Sequence, residues 1–191
     1  FPAVIELLPA DPIQVRVVDA GGVSVPQARI EQATPIPSSA LADRFDPQAR
    51  RILRRESTSG DDGRAELAAW DGPLLLHATH EGLASEIWIG DPRPMIQLEL
   101  HATFEAGGLV TLEAGSSLEG EQRVVCQVQA GSQLQPLTVV PVSGGAWGPV
   151  RLPILDVDRY RFRMEGWNAE VREHVIEPPG PGASIRVDFT L

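Results

Sequence analysis

Few residues in this sequence have the means to do chemistry. There is one cysteine, Cys126, one tyrosine, Tyr160, and four histidines, His77, His80, His101 and His174. One pair of adjacent aspartates, Asp61-Asp62, stands out in the stretch STSGDDGRAEL (57–67). A reactive thiol needs a neighbouring base or cation to make its thiolate. Cys126 instead lies in VVCQVQ on the parity of Val124 and Val128, the setting of a small buried hydrophobe. A single cysteine also excludes an intrachain disulfide and a cysteine-based zinc site. A metal would want imidazoles converging with a carboxylate such as Glu81. His77 and His80 are three residues apart in LLLHATHEG, and on a strand that spacing sends them to opposite faces. Asp61-Asp62 followed by Gly63 has the look of a cation loop, yet the further spaced acids of a calcium loop are missing. The pair reads as a turn. With no nucleophile–base–orienter set, metal cluster or phosphate loop in view, we expect no catalytic residue, no cofactor and no metal.

The elements that would position these groups are strands. IQVRVVD (13–19), RAELAAW (64–70), MIQLELHA (95–102), YRFRME (160–165) and SIRVDFTL (184–191) alternate apolar and polar residues, the period of a half-buried strand. Eighteen Gly and seventeen Pro punctuate them, and long helical periodicity is absent. The expected fold class is all-β.

The two halves of the chain also repeat each other. VVDAG, ending at Gly21, lies over TLEAG, ending at Gly115, with Arg29-Ile30 and Arg123-Val124 following at the same distance. GRAELAAWD (63–71) lies over GPVRLPILD (148–156), and EGLASEI (81–87) over EGWNAEV (165–171). Their common order predicts two tandem small antiparallel β-sandwiches, residues 1–103 and 104–191, with the boundary near 102–105. The copies differ in length: 37 residues separate Ile30 from Leu67, but 28 separate Val124 from Leu152. The excess is an Arg-rich insertion at about 35–57, read as a short helix or loop. Asp46-Pro47 is a helix-start signal, and QARRILRRE (48–56) could follow it as about two turns.

Charge narrows the partners. Sixteen basic residues, all arginine, stand against 26 acidic ones, for a net charge of −10. A negative field argues against nucleic acid as a partner. No apolar run approaches a membrane span, so no membrane insertion is expected, and FPAVIELLPADP lacks the regions of a signal peptide.

The segments VRVVDAGGVSVPQARIE (15–31), STSGDDGRAEL (57–67), LLLHATHEG (74–82) and MIQLEL (95–100) together resemble the carboxypeptidase regulatory-like domain. That domain belongs to the broad transthyretin-like (prealbumin-like) or Ig-like β-sandwich group. The second half resembles it through its alignment to the first and through LDVDRYRFRMEG. The resemblance implies a fold, is nearly silent on activity, and implies an extracytoplasmic location (periplasmic, cell-surface or secreted). Two chemistries of similar folds do not fit: an isopeptide bond needs lysine, of which there is none, and hydrolase or intradiol-type iron sites need His, Arg and Tyr sets that are not visible.

Partner binding is then the role to place. Arg50, Arg51, Arg54 and Arg55 of the insertion are candidates because copy-specific loops carry function. Trp70 and Trp88 are candidates because strict alternation turns them away from Leu67 and Ile87, as platforms for a sugar or anchors for a protein. Trp147, in SGGAWG, and Trp167 lie at turns, and all four tryptophans could equally cover the junction between copies or cap a core edge. Arg159, Arg161 and Arg163 form an outward ladder suited to cross-strand glutamates or to an anionic glycan. The expected function is a non-catalytic tandem β-sandwich, an accessory or interaction segment of a larger extracytoplasmic protein with an unknown protein or glycan partner. The alternatives are a carbohydrate-binding module using exposed tryptophans, and a small hydrolase or metal enzyme.

Overall fold

Alternating sequence becomes strand wherever one parity can be buried against a second layer. The structure, a computed structural model, describes residues 12–33, 54–68, 72–112, 122–165 and 172–190. Among these the first half contributes β1 (Ile13–Asp19), β2 (Arg29–Ala33), β3 (Arg54–Thr58), β4 (Arg64–Leu67), β5 (Leu74–His80), β6 (Leu83–Ser85) and β7 (Trp88–Gly90). A long strand, β8 (Met95–Thr111), runs on into the second half. There it is followed by β9 (Arg123–Ala130), β10 (Gln133–Ser143), β11 (Ala146–Pro153), β12 (Arg159–Glu165), β13 (Arg172–Ile176), β14 (Ser184–Arg186) and β15 (Phe189–Thr190). The described residues are all-β.

Among the described residues the strand pairings of the two halves share a pattern, although β6, paired with β5 and β8, and the β10–β11 pairing have no counterpart. In the first, β1 pairs antiparallel with β4 and parallel with Met95–Leu100 of β8, while β2 pairs antiparallel with both β3 and β5, and β5 with β7. In the second, the distal half of β8 pairs antiparallel with β11 and parallel with β14 and β15, while β9 pairs antiparallel with both β10 and β12, and β12 with β13. Thus β8 is the last strand of one arrangement and the first of the next. It passes without a break through residues 103 and 104.

Each arrangement closes over its own core. Val15, Val17, Leu67, Ile96 and Leu98 meet Ile30, Leu74, Leu76 and Ala78 in the first. Phe104, Trp147, Leu152 and Phe189 meet Val124, Cys126, Tyr160, Phe162 and Met164 in the second. The parity of β12 explains the last three: Tyr160, Phe162 and Met164 are buried while Arg159, Arg161 and Arg163 face outward. Arg161 pairs with Glu173 at 2.9 Å, and Arg163 with Glu165, so two rungs of that ladder meet carboxylates.

The stretch 57–67 is a turn held on every side. Gly60 N–H donates to Arg64 C=O at 2.7 Å, and Asp62 Oδ1 accepts from Arg64 N–H at 3.0 Å. Gly63 has φ +74° and sits where a Cβ would come 2.8 Å from Val17 O, so both conformation and space demand glycine. Buried Ser59 completes the unit: its hydroxyl donates to Val25 O and accepts from Ala28 N–H, both at 2.9 Å.

One expectation is corrected. The helix predicted over 48–56 has most of its residues, with the rest of 35–53, outside the described residues. Its last three, Arg54 to Glu56, are strand, because they form a ladder with Ala33 to Glu31 of β2. An available strand partner outweighs the marginal stability of so short a helix, even one built of good helix formers.

Candidate functional site: the cleft between the two cores

The residues nominated from sequence are not brought together. Arg50, Arg51 and Trp70 lie outside the described residues, as does Trp167. Arg54 opens β3 opposite Ala33, and Arg55 follows it, exposed, opposite Gln32. Trp88 opens β7 opposite Leu76, half-buried and packed against the first core. Gly90 leaves room for its indole, since a Cβ there would meet ring atoms Cζ2 and Cη2 at 3.0 and 3.1 Å. The guanidinium carbon of exposed Arg93 lies 5.4 Å from the ring centroid, a cation–π contact. Trp147 is not a turn platform but the largest buried side chain of the second core, its indole N–H donating to Val187 O at 2.9 Å.

The groups with nucleophilic potential are used in packing. Cys126 is 1% exposed, and burial pushes its thiol pKa up, away from the reactive thiolate. Tyr160 is fully buried, and desolvation is the main cause of its raised pKa. Its hydroxyl donates to Pro153 O and accepts from Leu155 N–H, both at 2.8 Å, which anchors the chain entering β12. The histidines are dispersed. His77 faces Glu31 across the ladder, His80 Nε2 is 3.8 Å from Glu81, and His174 sets its ring edgewise on Phe189 at 5.1 Å. Among the described residues no three His, Cys, Asp or Glu side chains are grouped to hold a metal ion.

What the fold does assemble is a cleft of about 700 Å³ where the two cores adjoin. The proximal half of β8 supplies its floor: Ile96, Leu98 and Leu100 point into the first core, which turns Gln97, Glu99 and His101 outward. His101 Nε2 lies 3.9 Å from Glu99. Trp88 forms one wall, while Gln135 of β10 and Asp156, in the loop before β12, come from the second half. Gln135 Nε2 donates to Glu86 Oε2 at 2.9 Å, a hydrogen bond that joins the halves across the cleft's edge. On the other side of the Ser85–Ile87 segment a smaller cavity, about 210 Å³, lies between β5 and β11. Sequence reasoning nominated Trp88 but missed Gln97, Gln135 and Asp156. The outward parity of Gln97 was legible; that Gln135 and Asp156, far along the chain, would face it was not.

Neither a protein-family model nor a curated protein matches the sequence. Among solved structures, the chain is similar to the Bacillus anthracis TIE protein, with 10% identity and a TM-score of 0.36 over 95% of this chain and 34% of that one. The chain therefore spans about a third of the TIE protein's length. It is also similar to GBS52, the minor pilin of Streptococcus agalactiae, with 10% identity and a TM-score of 0.35 over 93% of this chain and 94% of that one. A third is the shaft pilin spaA of Lactobacillus rhamnosus GG, with 10% identity and a TM-score of 0.31 over 94% of this chain and 98% of that one. Likeness at this level establishes neither a shared family nor a shared role.

Proposed function

We propose that the chain is a pair of related β-sandwiches, residues 1–103 and 104–191, forming a non-catalytic accessory or interaction segment of a larger extracytoplasmic protein. The observation that carries this reading is the repeated strand pairing around two separate cores, with Cys126 and Tyr160 sealed inside the second. A fold that spends its thiol and its phenol on packing, and opens a mixed polar and apolar cleft to solvent, is suited to holding a partner. The carboxypeptidase regulatory-like resemblance supports the extracytoplasmic location.

The test is fractionation of the native cells with an antibody raised against this chain. The expected band lies in the envelope or culture fraction and runs well above the mass of 191 residues. A band of about that mass confined to the cytosol overturns the reading.

A further inference from the structure

The cleft between the cores is more specific than a general contact surface, and we infer that it binds an uncharged oligosaccharide, with Trp88 as the stacking platform. This deepens the interaction role proposed above and rests on it. A volume of about 700 Å³ lies inside the roughly 300–1,000 Å³ of ligand sites, and an extended chain of sugar rings can run along so open a floor. A pyranose has an apolar face of C–H groups and a rim of hydroxyls. An indole suits the first, because its flat apolar surface needs little ordering. The hydroxyls need both donors and acceptors around them. Gln97 and the carbonyl of Gln135 supply side-chain amides, Glu99 and Asp156 supply acceptors, and His101 supplies a ring nitrogen.

Charge selects within the class. Among the described residues, Glu86, Glu99 and Asp156 line the cleft and no arginine does. An acidic sugar would meet like charge on desolvation, whereas a neutral one would not. A basic peptide is the other ligand this charge admits, but it gains little from the amides or from the apolar strip of Ile87, Ile89 and Val157. Arg93, whose guanidinium carbon lies 5.4 Å from the Trp88 ring centroid, is not among the residues lining the cleft and so serves as a control.

The experiment is calorimetric titration of the whole chain with linear neutral oligosaccharides of glucose, mannose and N-acetylglucosamine. A polygalacturonate oligomer and an oligoarginine peptide are run beside them. Binding to at least one neutral sugar and none to the acidic one is expected. Gln97→Ala should weaken it about tenfold, Trp88→Ala should abolish it, and Arg93→Ala should leave it within about twofold. Trp88 also packs on the first core, so circular dichroism and melting of each variant are recorded, and Gln97→Ala, at an exposed position, decides the case if Trp88→Ala unfolds. Binding to the peptide alone, or to nothing, overturns the inference. Failure here in a protein found in the envelope leaves the proposed function standing, while a cytosolic location removes that function whatever the cleft binds.

Discussion

Gly108→Ala is expected to lower folding stability by about 3 kcal/mol, a large share of what a domain of this size has. Gly108 lies inside β8, and a Cβ there would stand 1.9 Å from Val187 O and 3.0 Å from Trp147 Nε1. Neither neighbour is free to retreat. Val187 N–H donates to Gly107 O at 2.9 Å, and Leu109 N–H donates to Asp188 Oδ1 at 2.8 Å, so the chain from β14 to β15 is fastened on both sides of the glycine. Arg186 also grips both oxygens of Asp188, at 3.0 and 2.9 Å. That guanidinium, together with the Leu109 N–H, holds the Asp188 carboxyl below the usual range. An alanine methyl must therefore prise the parallel strand pairing apart. Urea unfolding measures the loss, with Gly180→Ala as control, since a Cβ at 180 meets nothing within 4 Å. A loss below about 1 kcal/mol at Gly108, or an equal loss at Gly180, contradicts this account of β8.

Trp147→Ala is expected to cost about 3–5 kcal/mol, the range for emptying the site of a large buried aromatic. Its ring packs on Phe162 and Phe189 with centroids 5.6 and 6.3 Å away, so removal opens a cavity bounded by both layers of the second core. The lost indole N–H also leaves Val187 O, buried beneath it, without that donor. Trp147→Phe keeps much of the volume and should cost roughly half as much. Because Gly108 and Trp147 both act on Val187 O, the two losses should not add, and a double-mutant cycle should return a coupling of 0.5 kcal/mol or more. Thermal and urea unfolding of Trp147→Ala, Trp147→Phe, Gly108→Ala and the double variant check these values. Full additivity would separate the two sites that the geometry joins.

Much of the strand content is readable in the sequence because one face of each strand is buried. IQVRVVD, YRFRME and the first part of β8 declare their buried parity residue by residue. The reading fails where a residue's type misstates its setting. Gly107-Gly108 resembles a linker next to the expected boundary, yet both glycines are strand interior, placed there because Trp147 O and Val187 O approach so closely. Pro136 and Pro141 disguise β10, which tolerates them with a register shift between Pro136 and Thr138. Trp147 sits two residues after a Gly-Gly turn and so looks exposed, while the strand it belongs to carries it into the core.

The candidate site was less legible for a geometric reason. Gln97 and Gln135 share a cleft only because β8 passes between the halves and β10 lies beside its floor, a relation that exists in no local window of sequence. The acidic turn at 61–62 was legible because its logic is local. Asp62 is already engaged as the acceptor for Arg64 N–H, and the Gly63 N–H donates to Gly60 O at 2.9 Å.

The proposed function has this chain bind its ligand without transforming it. The direct measurement is turnover by the purified protein, at high concentration, of chromogenic ester, glycoside, peptide and phosphoester substrates. Rates no greater than those in buffer alone are expected, for the wild type and for Glu99→Gln. Saturable turnover by the wild type that disappears in Glu99→Gln, with melting temperature unchanged, would contradict it and make the cleft an active site.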